Sequence, residues 1–244
     1  AEAYRALGRY EKALDRLNIA FSLAESLGDR RMTALILGSM GGASFFLGHA
    51  DKAWEQLHQG MGIARELKDP EAMAVLSGCM AKVHEMQGHY AEAISVYEEG
   101  IRSAEILGDP RLLAGIMADA ASACILNGDL KRAQELLSQS FEGFGKLPAS
   151  HPKGYDLILI GRSYDKLSSL LPEQKVHLKK EAYRALQEAA LTAESIGDRR
   201  ALSYTYGYTG GLYESEGRYA EALEWTRRAI FAAQEIDARE CLYL

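Results

Sequence analysis

Apolar and small residues return along this chain at fixed intervals, in stretches of helical apolar spacing separated by short polar turns. Gly8, Gly48, Gly88 and Gly128 form one series 40 residues apart, Ala13, Ala53, Ala93 and Ala133 a second, and Leu27, Leu67, Leu107 and Leu147 a third. After an insertion of nine residues the series resume, at Ala182 and Ala222, at Ile196 and Ile236, and at Gly217. A period of this size marks a solenoid, in which each unit is one supersecondary element that buries its apolar face against its neighbours. Such an array presents an extended surface suited to gripping another polypeptide.

The unit 28–67 predicts two helices. Gly28 supplies the left-handed residue that closes one helix, and the Asp29 carboxylate caps the next. The junction recurs as LKDP at 67–70, LGDP at 107–110 and IGDR at 196–199, with Pro70 and Pro110 where a first-turn proline forfeits no hydrogen bond. A first helix of about 18 residues runs to Gly48 and a second from about Ala50 to Leu67, each about 27 Å long at 1.5 Å per residue. Seven positions after each marker alanine stand Ala20, Gly60, Gly100, Ser140, Ala189 and Ala229, all small. The first helices carry a matching column, Ala1, Gly41, Ala81, Ala121, Gly161 and Gly210. These columns predict close approach of the two helices of a repeat, which justifies a glycine cost of about 1 kcal/mol of helix propensity relative to alanine.

The strings GRYEKAL (8–14), GHYAEAI (88–94) and GRYAEAL (217–223), with these small columns, resemble tetratricopeptide (TPR) repeats over the whole chain. The TPR period is about 34 residues, so this is a lengthened variant with about three more residues per helix. The resemblance implies an all-α, right-handed α-solenoid of about five to six TPR-type helix pairs, one of them irregular and lengthened. The expected organisation is a single array over 1–244, a fragment of a longer protein. Residues 1–8 fit the last two turns of a first helix, and 239–244 the opening of another. The irregular repeat covers about 148–197, with its additional residues entering around 168–178, and Pro172 ends one helix or starts the next. The insertion reads either as a longer loop or extra helical turn, or as a protrusion on which a partner docks.

Composition narrows the function. With 48% hydrophobic and 25% charged residues the chain can bury a large core, and its net charge of −6, with a pI near 5.6, leaves no basic footprint for tracking nucleic acid. Cys79, Cys124 and Cys241 lack metal-ligand spacing and sit in apolar helical patterns, as small buried hydrophobes of a reducing compartment do. No apolar run of about 18 residues is long enough to cross a membrane. These features indicate a cytoplasmic protein without a cofactor.

In TPR arrays the first helix of each repeat lines the concave surface, and the family's binding register falls here on Leu35, Gly38, Gly42 and Phe45, then Val75, Gly78, Lys82 and Glu85. It continues through Gly115, Ala118, Ser122 and Ile125, then Tyr155, Ile158, Arg162 and Asp165, and ends at Tyr204, Gly207, Gly211 and Glu214. Of these, Leu35, Phe45, Lys82, Glu85, Ile125, Tyr155, Arg162, Asp165, Tyr204 and Glu214 are the candidate contacts for a protein or peptide, from another molecule or another domain of the same chain. A carboxylate clamp for a peptide C-terminus needs several Lys, Arg and Asn on this stripe, and only Lys82 and Arg162 occur. The stripe's glycines read either as a tightly curved interior with no room or as bare backbone against which a partner segment lies.

Catalytic and metal chemistry finds no footing. In HEMQGH (84–89) the histidines are five apart and diverge by about 140° around a helix, at 100° per residue. The glycine strings GSMGG (38–42) and GYTGG (207–211) lie mid-helix, without the strand that a phosphate-cradling turn requires. The tyrosines Tyr204, Tyr206, Tyr208 and Tyr213 cannot share one helix face. The pairs Arg30–Arg31 and Arg199–Arg200 read as solvated first turns, against the helix dipole. The chain is thus expected not to be an enzyme. Its segment 202–244, with the SYxxGYxGxLYE core, the EALEWTRRAIFAAQ helix and the xLY ending, resembles the TPR tract that precedes a caspase-like CHAT peptidase domain in bacterial TPR-CHAT proteins. That resemblance implies a regulatory array that senses a partner and restrains or releases the attached protease. Similar LGDR-punctuated repeats also occur in sensor arrays of bacterial ATPase-type transcription regulators and nucleotide cyclases, the alternative context.

Overall fold

A computed structural model describes residues 9–236 and Ala238. Among these residues all regular structure is helical: α1 (Tyr10–Ser26), α2 (Arg30–Phe46), α3 (Ala50–Leu67), α4 (Pro70–Met86), α5 (Tyr90–Leu107), α6 (Pro110–Asn127), α7 (Leu130–Gly145), α8 (His151–Leu170), a 3-10 turn (Pro172–Gln174), α9 (Lys175–Ile196), α10 (Arg199–Ser215) and α11 (Tyr219–Gln234). The chain is an all-α solenoid of helix pairs, α2/α3, α4/α5, α8/α9 and α10/α11, with α1 packed on α2 and α7 on α8. It divides into two compact units, Ala1–Ile116 and Met117–Leu244, with the division inside α6. The helical readings of 1–8 and 239–244, and Cys241, lie outside the described residues.

The junctions form as the sequence dictates. Gly28 has φ +67°, and the N–H of Asp29 returns to the Ala24 carbonyl at 2.9 Å while its side chain accepts from the Met32 N–H at 2.9 Å. At the LKDP junction Lys68 takes the same left-handed conformation, φ 51°, where three other junctions use glycine. Asp69 then caps α4 through the N–H groups of Glu71 and Ala72 at 3.0 and 3.1 Å.

The first-turn arginines Arg30, Arg31 and Arg199 are exposed, and each also pairs with a carboxylate. Arg31 binds the Asp69 cap at 2.7 Å and also reaches Glu71, both on the next repeat, while Arg30 pairs with Glu66. Arg199 repeats the Arg30 contact on Glu235 at 3.1 Å. Burial pushes the Asp69 carboxyl upward, but the hydrogen bonds from Ala72 and Arg31 outweigh it and hold the group below its ordinary value. Charge that opposes the dipole at one helix start is therefore neutralised by carboxylates of neighbouring helices.

In the first unit α2 packs on α3, α4 on α5, and α2 on α4. The small columns decide those distances. A Cβ on Gly41 would lie 2.6 Å from Leu57 Cγ and 3.1 Å from the Ala53 carbonyl oxygen, and one on Gly60 would lie 3.0 Å from the Ala34 carbonyl oxygen and from Leu76 Cδ2. Gly60 thus admits both its own repeat's first helix and that of the next. In the second unit α8 packs on α9, α10 on α11, and α8 on α10, and Gly161 mirrors Gly41 with Leu186 Cγ at 2.7 Å from a built Cβ. The marker alanines Ala13, Ala53, Ala93, Ala133 and Ala182 are fully buried, and Ala222 is nearly so.

The nine-residue insertion enters where expected, as helix rather than loop. Relative to α2 and α3, four residues extend the end of α8, one joins the turn, and four extend the start of α9. Both partners of the α8/α9 pair thereby gain about one turn. Ser150 caps α8, and the buried Lys153 ties this start down by donating to the Leu147 carbonyl at 2.9 Å and pairing with Glu188 at 3.4 Å.

Candidate functional site

The binding register predicted from the sequence divides by unit. In the first unit Leu35 and Phe45 are half-buried against the core formed by Leu57, Met61, Leu76 and Met80, and Phe45 meets Phe46 edge-on at 6.5 Å. Lys82 pairs with Glu85 at 3.4 Å, and Glu85 also accepts from the Tyr97 hydroxyl at 3.1 Å. Of the two readings of the stripe glycines, lack of room holds at Gly38, whose Cβ would meet Leu76 Cδ2 at 2.8 Å. It does not hold at Gly42, Gly78 or Gly211, where a Cβ would have no heavy atom within 4 Å.

In the second unit the register converges. The C-terminal half of α6, α8 and α10 line a groove of about 580 Å³ that contains Ser122 and Ile125, then Arg162 and Asp165, then Gly207 and Gly211. Ile125 is buried and, with Leu159, Leu186 and Leu212, forms apolar wall, while Arg162 is exposed at the rim with its guanidinium 4.7 Å from the centre of the Tyr208 ring. Asp165 holds the buried ammonium of Lys179, which also donates to Ser215. That pair satisfies a lysine that would otherwise be buried without a counter-charge. Bare backbone at Gly211, apolar wall, a cation on an aromatic ring and an anchored carboxylate together suit an extended polypeptide segment.

The remaining candidates stand apart from the groove. Tyr155 lies beside His151, with ring centres 4.8 Å apart, and meets Tyr204 edge-on at 6.2 Å. Tyr204 is half-buried and packs on Ala233 and Ala238. Glu214 is exposed near the end of α10. Tyr206 donates to Glu194 at 2.8 Å, and burial together with that bond raises its pKa to about 12.

The sequence reading missed Tyr208, Lys166 and Ser169, which also line the groove. The signal for the latter two was present: they follow Arg162 by four and seven residues on one helix face, which continues because α8 is extended.

His84 and His89 also lie nearer than the expected 140° divergence, with ring centres 6.1 Å apart. Gly88 ends the helix at φ +79°, and the N–H of His89 returns to the His84 carbonyl at 2.9 Å, so the second ring leaves the helical projection altogether. His84 rests on Trp54, ring centres 4.5 Å apart, and Trp54 in turn on His58 at 5.6 Å. Among the described residues no group of three or more His, Cys, Asp or Glu is placed to hold a metal ion, and no helix is long and apolar enough to cross a membrane.

Paired helices stacked through buried small columns, with first helices converging on a groove, define a TPR-type helical-repeat protein. Its fold is similar to that of BtubC (BKLC) from P. vanneervenii, with TM-score 0.72 and 17% identity over 93% of this chain and 92% of that one. It is also similar to a kinesin-light-chain-like protein of P. anserina with nearly identical TPR-like repeats (TM-score 0.60, 17% identity, 82% and 94% covered). The apo form of RapI shares the fold as well (TM-score 0.60, 13% identity, 97% and 96% covered). By sequence, the family model described as anaphase-promoting complex subunit 5 matches residues 3–81, 72–122 and 121–216, and the chain belongs to that family. No curated protein sequence matches the chain.

Proposed function

We propose that this chain is a non-catalytic, cytoplasmic interaction module that takes an extended segment of a protein partner in the groove between α6, α8 and α10. The observation that carries this reading is the convergence there of register positions from three successive first helices, the predicted contacts Ile125, Arg162 and Asp165 with Gly211 beside them. Membership in a family described as a subunit of a multiprotein complex supports a scaffolding role. The module's regulatory target is an attached caspase-like CHAT peptidase, supported by the resemblance of segment 202–244 to the TPR tract of such proteins. A caspase-like domain encoded after Leu244 in the full-length gene agrees with this target. A helix-turn-helix or cyclase domain there transfers the array to the sensor of a transcription regulator or nucleotide cyclase.

The groove is tested by two substitutions measured against a partner obtained by affinity capture. Arg162→Glu reverses the rim charge, and Gly211→Leu fills the bare backbone without meeting any neighbour at its Cβ. Each is expected to weaken binding at least about tenfold, about 1.4 kcal/mol, with thermal stability nearly unchanged for Arg162→Glu and raised for Gly211→Leu, which gains helix propensity. Unaltered affinity in both variants, or loss of helicity in either, overturns the assignment.

A further inference from the structure

A second surface lies on the lengthened pair and owes its existence to the insertion. The extra turn of α9 brings Lys175 and Val176 onto the face that also carries Lys179, Lys180 and Tyr183, at helical spacing. With Leu212 and Tyr213 of α10 and Glu216 and Arg218 of the following turn, these residues line a groove of about 680 Å³.

The charges in this groove are not all committed. Lys179 is occupied by Asp165 and Ser215, and Arg218 is shared with Glu221 at 2.7 Å and Glu216 at 3.9 Å. Lys175 and Lys180 are exposed and meet no carboxylate among the described residues. The start of α9 adds to the field, since it has no acidic residue in its first turn and no side-chain cap. Gln174, at the capping position, instead accepts from Gln134 at 3.1 Å.

An apolar and aromatic wall accompanies the cations. Val176 is 87% exposed, more than any other large apolar residue described. Tyr183 and Tyr213 meet edge-on at 6.1 Å, and the Arg218 guanidinium lies 4.4 Å from the centre of the Tyr213 ring. Local positive charge stands against a chain whose net charge is −6.

We propose that this groove binds an acidic polypeptide segment, with carboxylates on Lys175 and Lys180 and an intervening apolar side chain on Val176 and Tyr213. The exposed valine beside unpaired lysines argues for a peptide with alternating carboxylate and apolar groups rather than for a nucleic-acid backbone, which would leave Val176 unused. The surface adjoins the groove of α6, α8 and α10 through Leu212 and the Asp165–Lys179 pair, and the proposal does not depend on that groove's assignment.

The probe is a short fluorescein-labelled peptide of Glu, Asp and Leu, followed by fluorescence anisotropy with helicity checked by circular dichroism. Saturable binding is expected at about 50 mM salt and strong weakening at about 500 mM, since exposed charge pairs are screened. The double variant Lys175→Glu/Lys180→Glu is expected to lose at least about tenfold in affinity, whereas Lys12→Glu/Lys52→Glu, the same charge change on exposed residues of the first unit, loses less than about twofold. Should the glutamate pair lower helicity, Lys175→Ala/Lys180→Ala, which keeps helix propensity, is expected to weaken the peptide by at least about fivefold. Absent binding, equal loss in both double variants, full retention on lysine removal, or tighter binding of an oligonucleotide of equal charge overturns the proposal.

Discussion

A helical glycine has opposite meanings at neighbouring positions of this chain, and its surroundings decide which. Replacing it with alanine gains about 1 kcal/mol of helix propensity, while forcing a methyl group into close packing costs about 1–3 kcal/mol. At Gly42 and Gly78 a Cβ meets nothing within 4 Å, so propensity wins, and Gly42→Ala and Gly78→Ala should raise the urea midpoint with an unchanged slope. At Gly41 the nearest atom would be 2.6 Å away with a carbonyl oxygen behind it, and at Gly161 2.7 Å, so overpacking wins and both alanine variants should unfold at lower urea. A second residue-scale expectation concerns His84, whose Nδ1 is buried without a hydrogen-bond partner among the described residues. Burial lowers its pKa from the ordinary 6.5, with Glu92 opposing and His89 and His58 adding to the shift. The unfolded chain therefore binds more protons just below pH 6.5, and stability falls as pH drops from there toward the folded value. His84→Phe, which keeps a ring against Trp54, should flatten the fall in Tm between about pH 7.5 and about pH 5.5. Equal slopes in the two proteins would exclude His84 as its source.

Among the elements, length is set by junction chemistry and separation by side-chain size. The capping aspartates and left-handed residues recur with the period, so helices of 17 and 18 residues repeat through the first unit. The irregular pair keeps its start signals at Ser150 and Pro152 but has no Gly-turn at the standard place, and α8 accordingly runs to Leu170 before Pro172 stops it. Helix separation responds to the marker alanines, of which Ala93 and Ala133 are fully buried. Ala93→Leu and Ala133→Leu should each destabilise by about 1–3 kcal/mol, measured by equilibrium unfolding. A neutral result at both would mean that the helix pairs yield without cost.

Across the molecule, stability in a stacked array is close to a sum of repeat and nearest-neighbour terms. The same two overpacking variants therefore have different footprints in hydrogen exchange. Ala93→Leu should lower protection chiefly within Ala1–Ile116 and Ala133→Leu chiefly within Met117–Leu244, because each alanine belongs to one compact unit. Uniform loss along the chain in either variant would show that the units open together.

The period, the helix boundaries, the capping residues and the small columns were all legible in the sequence, because each depends on neighbours a few residues away or on the repeat itself. The site of the nine added residues was legible for the same reason. What tertiary structure alone decided is which register positions face open space. Leu35, Phe45 and Arg162 belong to one register in the sequence, yet the former pair lies on a core and the latter on a groove. Tyr208 joins that groove because α10 lies beside α8, and Lys179 reaches Asp165 because the pair is lengthened. Such contacts depend on how far one helix is shifted and turned against the next. Local propensity carries no information about that offset, since it emerges only when side chains from several repeats compete for the same volume.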